Sequence, residues 1–451
     1  MFVYIAIENF RSIKEKMIFN LSASGSNNHL SGHFFKNDLM PVGTLRSAGV
    51  YGANASGKSN VLMAFEAIKF IATESGDLKE GKRIPCHDPY ALSASNVISP
   101  VHFEAEFYSA EGNRFVYEVK FTKDQIVFES LDYYPSRVKA NLFTRYEDDS
   151  WESIKFGGHY KGGIKKIPFF KNNSYLSKAG DNAATPDIIK EAYNFFRKQI
   201  RHIGLKEKIR ISSFGDREDV VNDTAKVLCM VDTGISGIAV KEMDSELPIK
   251  MDDDIPQEIK EIIEEDYKYR YMFSHATEEG GSVSFSINRE SEGTQKLFEI
   301  IPLIKSAFDE KKVVIFDELD NSLHPHIADL IVRLFNDPDV NKKGSQLVFS
   351  THNMQLMTPE KMRRDQIWFC EKRSGASFVY SLDDFDKKKV KTTTPYANWY
   401  DEGRFGGVPD INYLKIASFL SDYEPTVMSD VDVNNISEGF FEEFDGDFGN
   451  E

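Results

Sequence analysis

The most restrictive feature of this 451-residue sequence is GANASGKS, Gly52 to Ser59, which follows the apolar run SAGVY and leads into a segment of helical spacing. A strand, a glycine-rich turn and a helix in this order are typical of a phosphate-binding loop, whose backbone N–H groups surround phosphate oxygens. In such a loop Lys58 reaches the β- and γ-phosphates and Ser59 binds Mg²⁺. The stretch therefore predicts a nucleotide site in an α/β core; a turn that merely caps a helix is the plainer alternative.

A second stretch, KKVVIFDELD, has the composition of a buried strand that ends in Asp317 and Glu318. Beside a phosphate loop, Asp317 is expected to hold the Mg²⁺ shell and Glu318 to polarise the attacking water. An acidic cap after a strand is the alternative, and the phosphate loop elsewhere in the chain disfavours it. Together the two stretches predict a nucleotide-hydrolysing site.

A third stretch, QLVFSTHN, is another apolar strand, and it ends in Ser350, Thr351 and His352. In a parallel sheet, a histidine at the carboxyl end of the strand after the acidic one would face the γ-phosphate. A single histidine is more often structural, but this position favours a catalytic role for His352. Between the two strands, DNSLHP places Asp320 in a turn before the start of a helix.

The stretch NRESEGTQKL predicts a helix start with a glycine in its first turn. Ser291 is a natural N-cap, and Glu292 suits the positive end of a helix dipole. Gly293 costs roughly 0.5–1 kcal/mol there relative to alanine, which close approach of the backbone to another group would explain. The order of phosphate loop, serine–glycine helix start, acidic strand and histidine strand is that of an ABC-type ATPase head.

Composition and charge exclude several other classes of protein. The net charge of −16 argues against a surface that binds nucleic acid over its whole extent. Cys86, Cys229 and Cys370 are too few and too scattered for a disulfide framework or a zinc site, so a reducing cytoplasm is expected. No apolar run approaches the roughly 18–20 residues that span a bilayer, and no membrane association is expected. The stretch NKKG lacks the aspartate of a guanine-recognition motif.

The sequence divides into four predicted parts. Residues 1–185 form an amino-terminal lobe with the phosphate loop and an antiparallel meander, VHFEAEFYS, NRFVYEVKFT and QIVFESLDYY. Residues 186–280 are expected to form a helical insert, because TPDIIKEAYNFFRKQIRHI and PQEIKEIIEEDYKYRYMF both have proline near the first turn. Residues 281–420 form a carboxy-terminal lobe of α/β character, and 421–451 an acidic, flexible tail with spaced phenylalanines that suit a docking peptide.

Six stretches resemble the ABC-type ATPases of the overcoming-lysogenization-defect, RecF and SMC branch: IENFRSI, GANASGKSN, SEGTQKL, FDELDNSLHP, STHN and DEGRFGGVPDI. The chain is most similar to the bacterial AAA15 family of defence-associated ATPases of the RloA/AriA-like type, up to about Ile411. The resemblance implies ATP and Mg²⁺ as cofactors, and a homodimer or higher homo-oligomer in which two heads sandwich ATP. It also implies a sensor or scaffold of antiphage defence that controls a separately encoded effector, such as a Toprim-type nuclease, with DNA or a phage protein as the trigger.

The expected site residues fall into three groups. Glu318 and His352 are expected to act in hydrolysis, and Ser59 and Asp317 to bind the metal. In the dimer that the resemblance implies, the serine–glycine helix start meets the γ-phosphate held by the other head. The residues expected to contact the nucleotide are Gly52, Asn54, Ser56, Gly57, Lys58, Ser59, Asn60, Ser291, Gly293, Gln295 and Asp320.

The sequence departs from this family pattern in two places. The stretch ALSASNVISPVHF contains no glutamine that could sense Mg²⁺ before the meander. The stretch DGD at Asp445 to Asp447 has no paired glutamate strand before it, so we expect no nuclease in this chain. The alternative function is a DNA-repair or chromosome-associated ATPase that binds DNA directly through RKQIRHIGLKEKIR, residues 197–210, although a solvated helix face explains that stretch more simply. A structural scaffold without turnover is a third class.

Overall fold

The structure is a computed structural model that describes residues 1–25, 29–38, 40–204, 218–231, 233–242, 260, 269–409 and 411–421. Contacts between residues divide the chain into two units, 1–408 and 409–451. The acidic tail after residue 421 and the predicted helix over 256–268, apart from residue 260, lie outside the described residues. Within the described ranges, no helix is long and apolar enough to cross a membrane.

The described strands are β1 (Phe2–Glu8), β2 (Met17–Asn20), β3 (Phe34–Phe35), β4 (Thr44–Leu45), β5 (Ser47–Tyr51), β6 (Val101–Tyr108), β7 (Arg114–Phe121), β8 (Ile126–Tyr133), β9 (Ala140–Tyr146), β10 (Lys155–Phe156), β11 (Ile200–Ile203), β12 (Ile235–Glu242), β13 (Tyr269–Ala276), β14 (Ser282–Ser286), β15 (Val313–Phe316), β16 (Gln346–Ser350), β17 (Ile367–Arg373) and β18 (Ala376–Ser381). The described α-helices are α1 (Lys58–Thr73), α2 (Ala94–Ile98), α3 (Tyr175–Gly180), α4 (Asp187–Asn194), α5 (Glu218–Met230), α6 (Glu292–Glu310), α7 (Pro325–Asn336), α8 (Tyr396–Asp401) and, in the second unit, α9 (Tyr413–Ser421).

The core sheet has six strands in the order β11-β15-β16-β5-β17-β18. Its first five strands are parallel, and β18 runs antiparallel to β17. Every residue of β5, β15 and β16 is buried, as expected for a parallel sheet covered on both faces. Because parallel strands end at one edge, the segments that follow β5, β15 and β16 meet there. The predicted α/β core is confirmed.

Two hydrophobic cores cover the opposite faces of this sheet. In β15, Val313 and Ile315 belong to the core that contains α1, whereas Val314 and Phe316 belong to the core that contains α6 and α7. This alternation follows from the twofold side-chain period of a strand. Since both faces are packed, β5, β15 and β16 are a rigid support for the loops at their carboxyl ends.

The second large sheet has seven strands in the order β10-β9-β8-β7-β6-β1-β2. It is antiparallel throughout, and β6, β7 and β8 are the meander that the sequence predicted. Its inner face packs on α1, where the rings of Phe2 and Phe65 are 5.0 Å apart in an edge-to-face contact. Helix α1 therefore lies between the two sheets and shares one core with both.

Residues 186–280 are not helical throughout, and two predicted helices are partly wrong. Helix α4 continues as a π-turn over Phe195–Gln199, but Ile200–Ile203 then forms β11, which pairs in parallel with β15. Ile200 and Ile203 are buried in that pairing, so tertiary contacts override the helical spacing of the sequence. The end of the second predicted helix is β13, the central strand of the antiparallel sheet β12-β13-β14. Phe273 of β13 contacts Phe298 of α6, with ring centroids 5.2 Å apart.

Candidate functional site

The phosphate loop joins the buried strand β5 to α1. Helix α1 is 16 residues long and begins after Gly57, whose φ of 113° is in the left-handed region, without a side-chain cap. A Cβ at Gly57 would lie 2.2 Å from Oγ of Ser377, and a Cβ at Gly52 would lie 2.2 Å from the carbonyl oxygen of Cys370. Both glycines are therefore required by close packing, and the first N–H groups of α1 remain free of a side-chain cap, as an anion site needs.

The ammonium group of Lys58 lies inside this loop. It donates to the carbonyl oxygens of Gly52 and Ala53 at 2.9 and 3.1 Å. Burial lowers the pKa of Lys58, while the nearby carboxyl groups of Glu318 and Asp317 act in the opposite direction. Among the described residues, Oγ of Ser56 is a buried polar atom without a hydrogen-bond partner. A buried cation and a free hydroxyl in a loop with an uncapped helix fit the phosphates of a nucleotide.

The segments after β5, β15 and β16 meet at the Asp317 carboxylate. Oγ of Ser59 donates to Oδ1 of Asp317 at 3.1 Å, and Oγ of Ser350 donates to the same oxygen at 2.6 Å. The described residues direct both hydrogen bonds to Oδ1, so Oδ2 has no hydrogen-bond donor among them. A hydroxyl beside a carboxylate supplies the oxygen ligands that Mg²⁺ prefers, so the predicted metal pair fits this ion.

Glu318 differs from Asp317 in exposure and backbone conformation. Asp317 is buried, whereas Glu318 is partly exposed, and its φ is 52°, in the left-handed region. Its backbone N–H donates to Oγ of Ser350 at 2.7 Å, which holds the turn in place. Such a conformation costs a residue with a side chain roughly 1–3 kcal/mol and is found most often at functional sites.

Asp320 fixes the chain beyond β16. Its Oδ1 accepts a hydrogen bond from Oγ1 of Thr351 at 2.5 Å, and both carboxylate oxygens accept from the backbone N–H of His352 at 3.2 and 3.3 Å. Partial desolvation lowers the pKa of His352, and the Lys58 ammonium lowers it further, against the opposite effect of Asp320 and Glu318. The imidazole is therefore neutral at neutral pH. The charge of Lys58 in the phosphate loop acts on it directly.

The serine–glycine helix start contacts the loop after β15. Ser291 is the N-cap of α6 as predicted, since its side chain accepts from the backbone N–H of Thr294 at 3.1 Å. A Cβ at Gly293 would lie 3.0 Å from the carbonyl oxygen of Ser322, and Oγ of Ser322 donates to Oε1 of Glu292 at 2.7 Å. The close approach inferred for Gly293 therefore exists within one chain.

The predicted site residues form two groups. The phosphate loop, Asp317, Glu318, Asp320 and His352 lie together at the edge of the core sheet. Ser291, Gly293 and Gln295 do not join them: within the described part of the chain, no hydrogen bond links these three residues to the phosphate loop. The side-chain amide of Gln295 instead donates to the carbonyl oxygen of Glu290 at 2.9 Å. Ser291 and Glu292 are exposed, whereas Thr294 in the same turn is buried.

Sequence reasoning gave no role to several residues that line the phosphate loop. Ser12, in IENFRSI, accepts from the Asn60 amide at 2.6 Å and from Oγ of Ser377 at 2.7 Å. Ser377 also contacts the carbonyl oxygen of Ser56. Gly407, in DEGRFGGVPDI, accepts from the backbone N–H of Ala53. The only signal was that both stretches belong to the resemblance, because neither carries a local motif of its own.

The described part of the basic stretch 197–210 ends at residue 204. Arg197 lies 3.6 Å from Asp181 in an ion pair, and its guanidinium is 5.7 Å from the centre of the Tyr193 ring. These contacts are those of an arginine on a solvated protein surface. The described residues of this stretch thus give no support for direct binding of DNA.

Comparison with known proteins gives one family match. The profile of the family described as "AAA domain, putative AbiEii toxin, Type IV TA system" matches residues 47–358. No curated protein matches the chain. These matched residues include the phosphate loop, the start of α6, Asp317, Glu318 and His352.

Solved structures that match the chain include two groups of proteins. The SMC head domain from Thermotoga maritima has 15% identity and a TM-score of 0.38, over 84% of this chain and 98% of that chain. The Pyrococcus furiosus Smc head with an extended coiled coil, bound to the carboxy-terminal domain of ScpA, has 12% identity and a TM-score of 0.35, over 89% of this chain and 99% of that chain. The recombination mediator protein RecF with ATP has 12% identity and a TM-score of 0.33, over 84% of this chain and 97% of that chain.

Similarities at this level add no argument about activity. The family match spans well over half of the chain and contains β5, β15 and β16 with the segments that follow them. The fold is a phosphate-loop core sheet with an antiparallel β subdomain, as the sequence predicts for an ABC-type ATPase head, and the protein belongs to this AAA-domain family.

Proposed function

We propose that this chain binds and hydrolyses ATP at the edge of the core sheet. The observation that carries the proposal is that the hydroxyls of Ser59 and Ser350 converge on one oxygen of Asp317. This contact joins the phosphate loop, the acidic strand and the histidine strand in the arrangement that phosphoryl transfer requires. The absence of an aspartate in NKKG favours ATP over GTP.

Each residue has a distinct part in the proposed reaction. The Lys58 ammonium and the N–H groups of the loop and of α1 bind the β- and γ-phosphates. Ser59 and Asp317 would hold Mg²⁺, which supplies positive charge against the phosphate oxygens. Glu318 accepts the proton of the attacking water. The imidazole of His352 is neutral, and Asp320 holds the backbone of His352, so this side chain can donate a hydrogen bond to the γ-phosphate.

Nucleotide binding by purified full-length chain tests this proposal. Lys58→Ala removes the cation in the loop and should abolish measurable ATP binding and Mg²⁺-dependent phosphate release. Lys69→Ala is the matched control, because Lys69 lies on the same helix and pairs with Glu66 at 3.7 Å. Removal of divalent metal with a chelator should stop turnover in the wild type. Equal ATP affinity of the two variants, or a wild type without metal-dependent turnover, would refute the proposal.

We further propose that two chains face each other with ATP between them. In this arrangement Ser291 and Gly293 of one chain complete the site on the other. Two observations support this reading: Ser291 and Glu292 are exposed at the start of α6, and no hydrogen bond among the described residues joins this start to its own phosphate loop. Its backbone donors suit the γ-phosphate held by a facing chain.

The biological role that we propose is a sensor of antiphage defence that controls a separately encoded effector, such as a Toprim-type nuclease. The motif resemblance supports this role.

A nuclease within the described residues has little support: their one group of possible metal ligands outside the nucleotide site is His102, Glu104 and Glu118. Lys16 pairs with Glu104 at 3.1 Å and Lys120 with Glu118 at 3.6 Å, so the charge of this group is already balanced. The proteins that co-purify with tagged chain from its native cells test the role: a nuclease partner supports it, and recovery of the chain with DNA alone favours the DNA-repair alternative.

A further inference from the structure

The glycine-rich stretch near the end of the first unit lies directly against the phosphate loop. The backbone N–H of Ala53, the second residue of the loop, donates to the carbonyl oxygen of Gly407 at 2.7 Å. The hydroxyl of Tyr400 donates to the same carbonyl oxygen at 3.0 Å. We call residues 403–408 the carboxy-terminal turn. Its carbonyl at Gly407 thus has two donors and a fixed position.

The carboxy-terminal turn is held by the core of the first unit. Phe405 is 2% exposed, and its ring stacks on Phe369 of β17 with centroids 5.5 Å apart. The hydroxyl of Tyr380 donates to the carbonyl oxygen of Phe405 at 2.7 Å. Gly406 and Gly407 have φ of 70° and 71°, so the turn needs glycine at both positions. These contacts hold the turn in one conformation, in which the Gly407 carbonyl accepts the hydrogen bond from Ala53.

This contact divides the phosphate loop into two parts. The N–H of Ala53 is occupied by Gly407, and Gly52 is in close contact with the Cys370 carbonyl of β17. The first two residues of the loop are therefore fixed from outside the nucleotide site. The residues Asn54 and Ala55, the free hydroxyl of Ser56 and the start of α1 remain for the phosphates. A binding loop held in its bound conformation loses less entropy when a ligand binds, and affinity rises accordingly.

We propose that the carboxy-terminal turn is a positioning element of the nucleotide site, which holds Gly52 and Ala53 in the conformation that accepts a nucleoside triphosphate. This inference rests on the proposed function. It assigns a role to DEGRFGGVPDI, a stretch that has no catalytic residue of its own. Because coupling between two sites is reciprocal, a bound triphosphate must in turn stabilise the carboxy-terminal turn.

Paired glycine substitutions test the proposal. Gly407→Ala introduces a side chain at φ 71°, where the nearest atoms to its Cβ are at 3.5 Å or more, so the change strains the turn without a severe clash. Gly81→Ala is the matched control, because Gly81 has φ 72° and a Cβ there would have no atom within 4 Å. We expect the Kd and KM for ATP to rise about tenfold in Gly407→Ala, with kcat at saturating ATP unchanged. Gly81→Ala should bind ATP like the wild type.

A second pair of variants covers the case in which Gly407→Ala does not fold. Tyr400→Phe removes one donor to the Gly407 carbonyl, and Tyr396→Phe removes a phenolic hydroxyl from the same helix, one turn earlier. We expect weaker ATP binding only in Tyr400→Phe, and slower hydrogen exchange of residues 400–408 in wild-type chain on addition of ATP. Wild-type ATP affinity in both Gly407→Ala and Tyr400→Phe, or unchanged exchange of residues 400–408, would overturn the inference alone. A wild-type chain that binds no ATP would refute the proposed function as well.

Discussion

At the scale of single residues, the two neighbouring acids of FDELD have different surroundings. Asp317 is buried, and its Oδ1 accepts hydrogen bonds from the hydroxyls of Ser59 and Ser350. A carboxylate fixed in this way suits a ligand of Mg²⁺. Glu318 is partly exposed on a left-handed backbone, and its N–H is fixed by Ser350. A partly exposed carboxylate beside a fixed, buried one suits the general base that we propose. The sequence predicted both roles and placed Ser350 at the end of a strand, but it gave Ser350 no role, because a serine at the end of a strand has no motif.

The pH dependence of stability should report the surroundings of His352. Its pKa is below the ordinary value of 6.5 in the folded chain, so the unfolded chain binds a proton on this residue first as the pH falls. The contribution of His352 to stability is therefore complete above pH 6.5 and is lost as the pH falls through the lowered pKa. We expect His352→Gln to lose less free energy of unfolding than the wild type between about pH 7.5 and about pH 5. Urea unfolding of both proteins without nucleotide or metal measures this, and an equal or steeper loss in the variant would contradict it.

At the scale of elements, the site follows from where β5, β15 and β16 end. Their apolar runs predicted a parallel sheet, and the polar residues after each run predicted a shared edge, so the relation of Asp317 to Ser59 could be inferred before the structure. The strands β11 and β13 could not be predicted. Ile200 and Ile203 have helical spacing with the residues before them, and only pairing with β15 makes them a strand. Likewise, the contact between Ala53 and Gly407 joins residues too far apart in sequence for local patterns to indicate it.

The start of α6 gives a test of the composite site. A bulky residue at Gly293 would contact Ser322 of its own chain, so we choose Ser291→Asp, which keeps a good N-cap and adds a negative charge opposite the γ-phosphate of a facing chain. Ser291→Asn is the neutral control with an equally good cap. We expect Ser291→Asp and Lys58→Ala to be inactive alone and to regain part of the ATPase activity when mixed, since one composite site in the mixed dimer is intact.

Two results of the mixing experiment would contradict the composite site. If Ser291→Asp hydrolyses ATP as fast as Ser291→Asn, the start of α6 does not face a phosphate. If both variants form normal oligomers and the mixture stays inactive, the two heads do not share their sites. Phosphate release and light scattering on the same samples distinguish these results.

At the scale of the whole molecule, activity in cells should depend on a second protein. We expect the chain to restrict phage only together with its separately encoded effector, and Lys58→Ala to lose that restriction even where the complex still forms. A ligand shifts a conformational equilibrium only when its affinities for the two conformations differ. A chain that binds no ATP therefore cannot be driven into the ATP-bound conformation that controls the effector. Plaque counts on cells that carry the pair, each gene alone or the variant pair measure this. Protection by the chain without any partner would contradict it.

The central claim is that this chain hydrolyses ATP with Glu318 as the base, and single-turnover hydrolysis by Glu318→Gln tests it most directly. The substitution keeps the size of the side chain and removes its basicity. We predict that Glu318→Gln binds ATP as tightly as the wild type and hydrolyses it roughly 10²–10⁴-fold more slowly, while Glu152→Gln, at an exposed site, is unchanged. Hydrolysis by Glu318→Gln at the wild-type rate, in a protein whose turnover still requires Lys58, would contradict the claim.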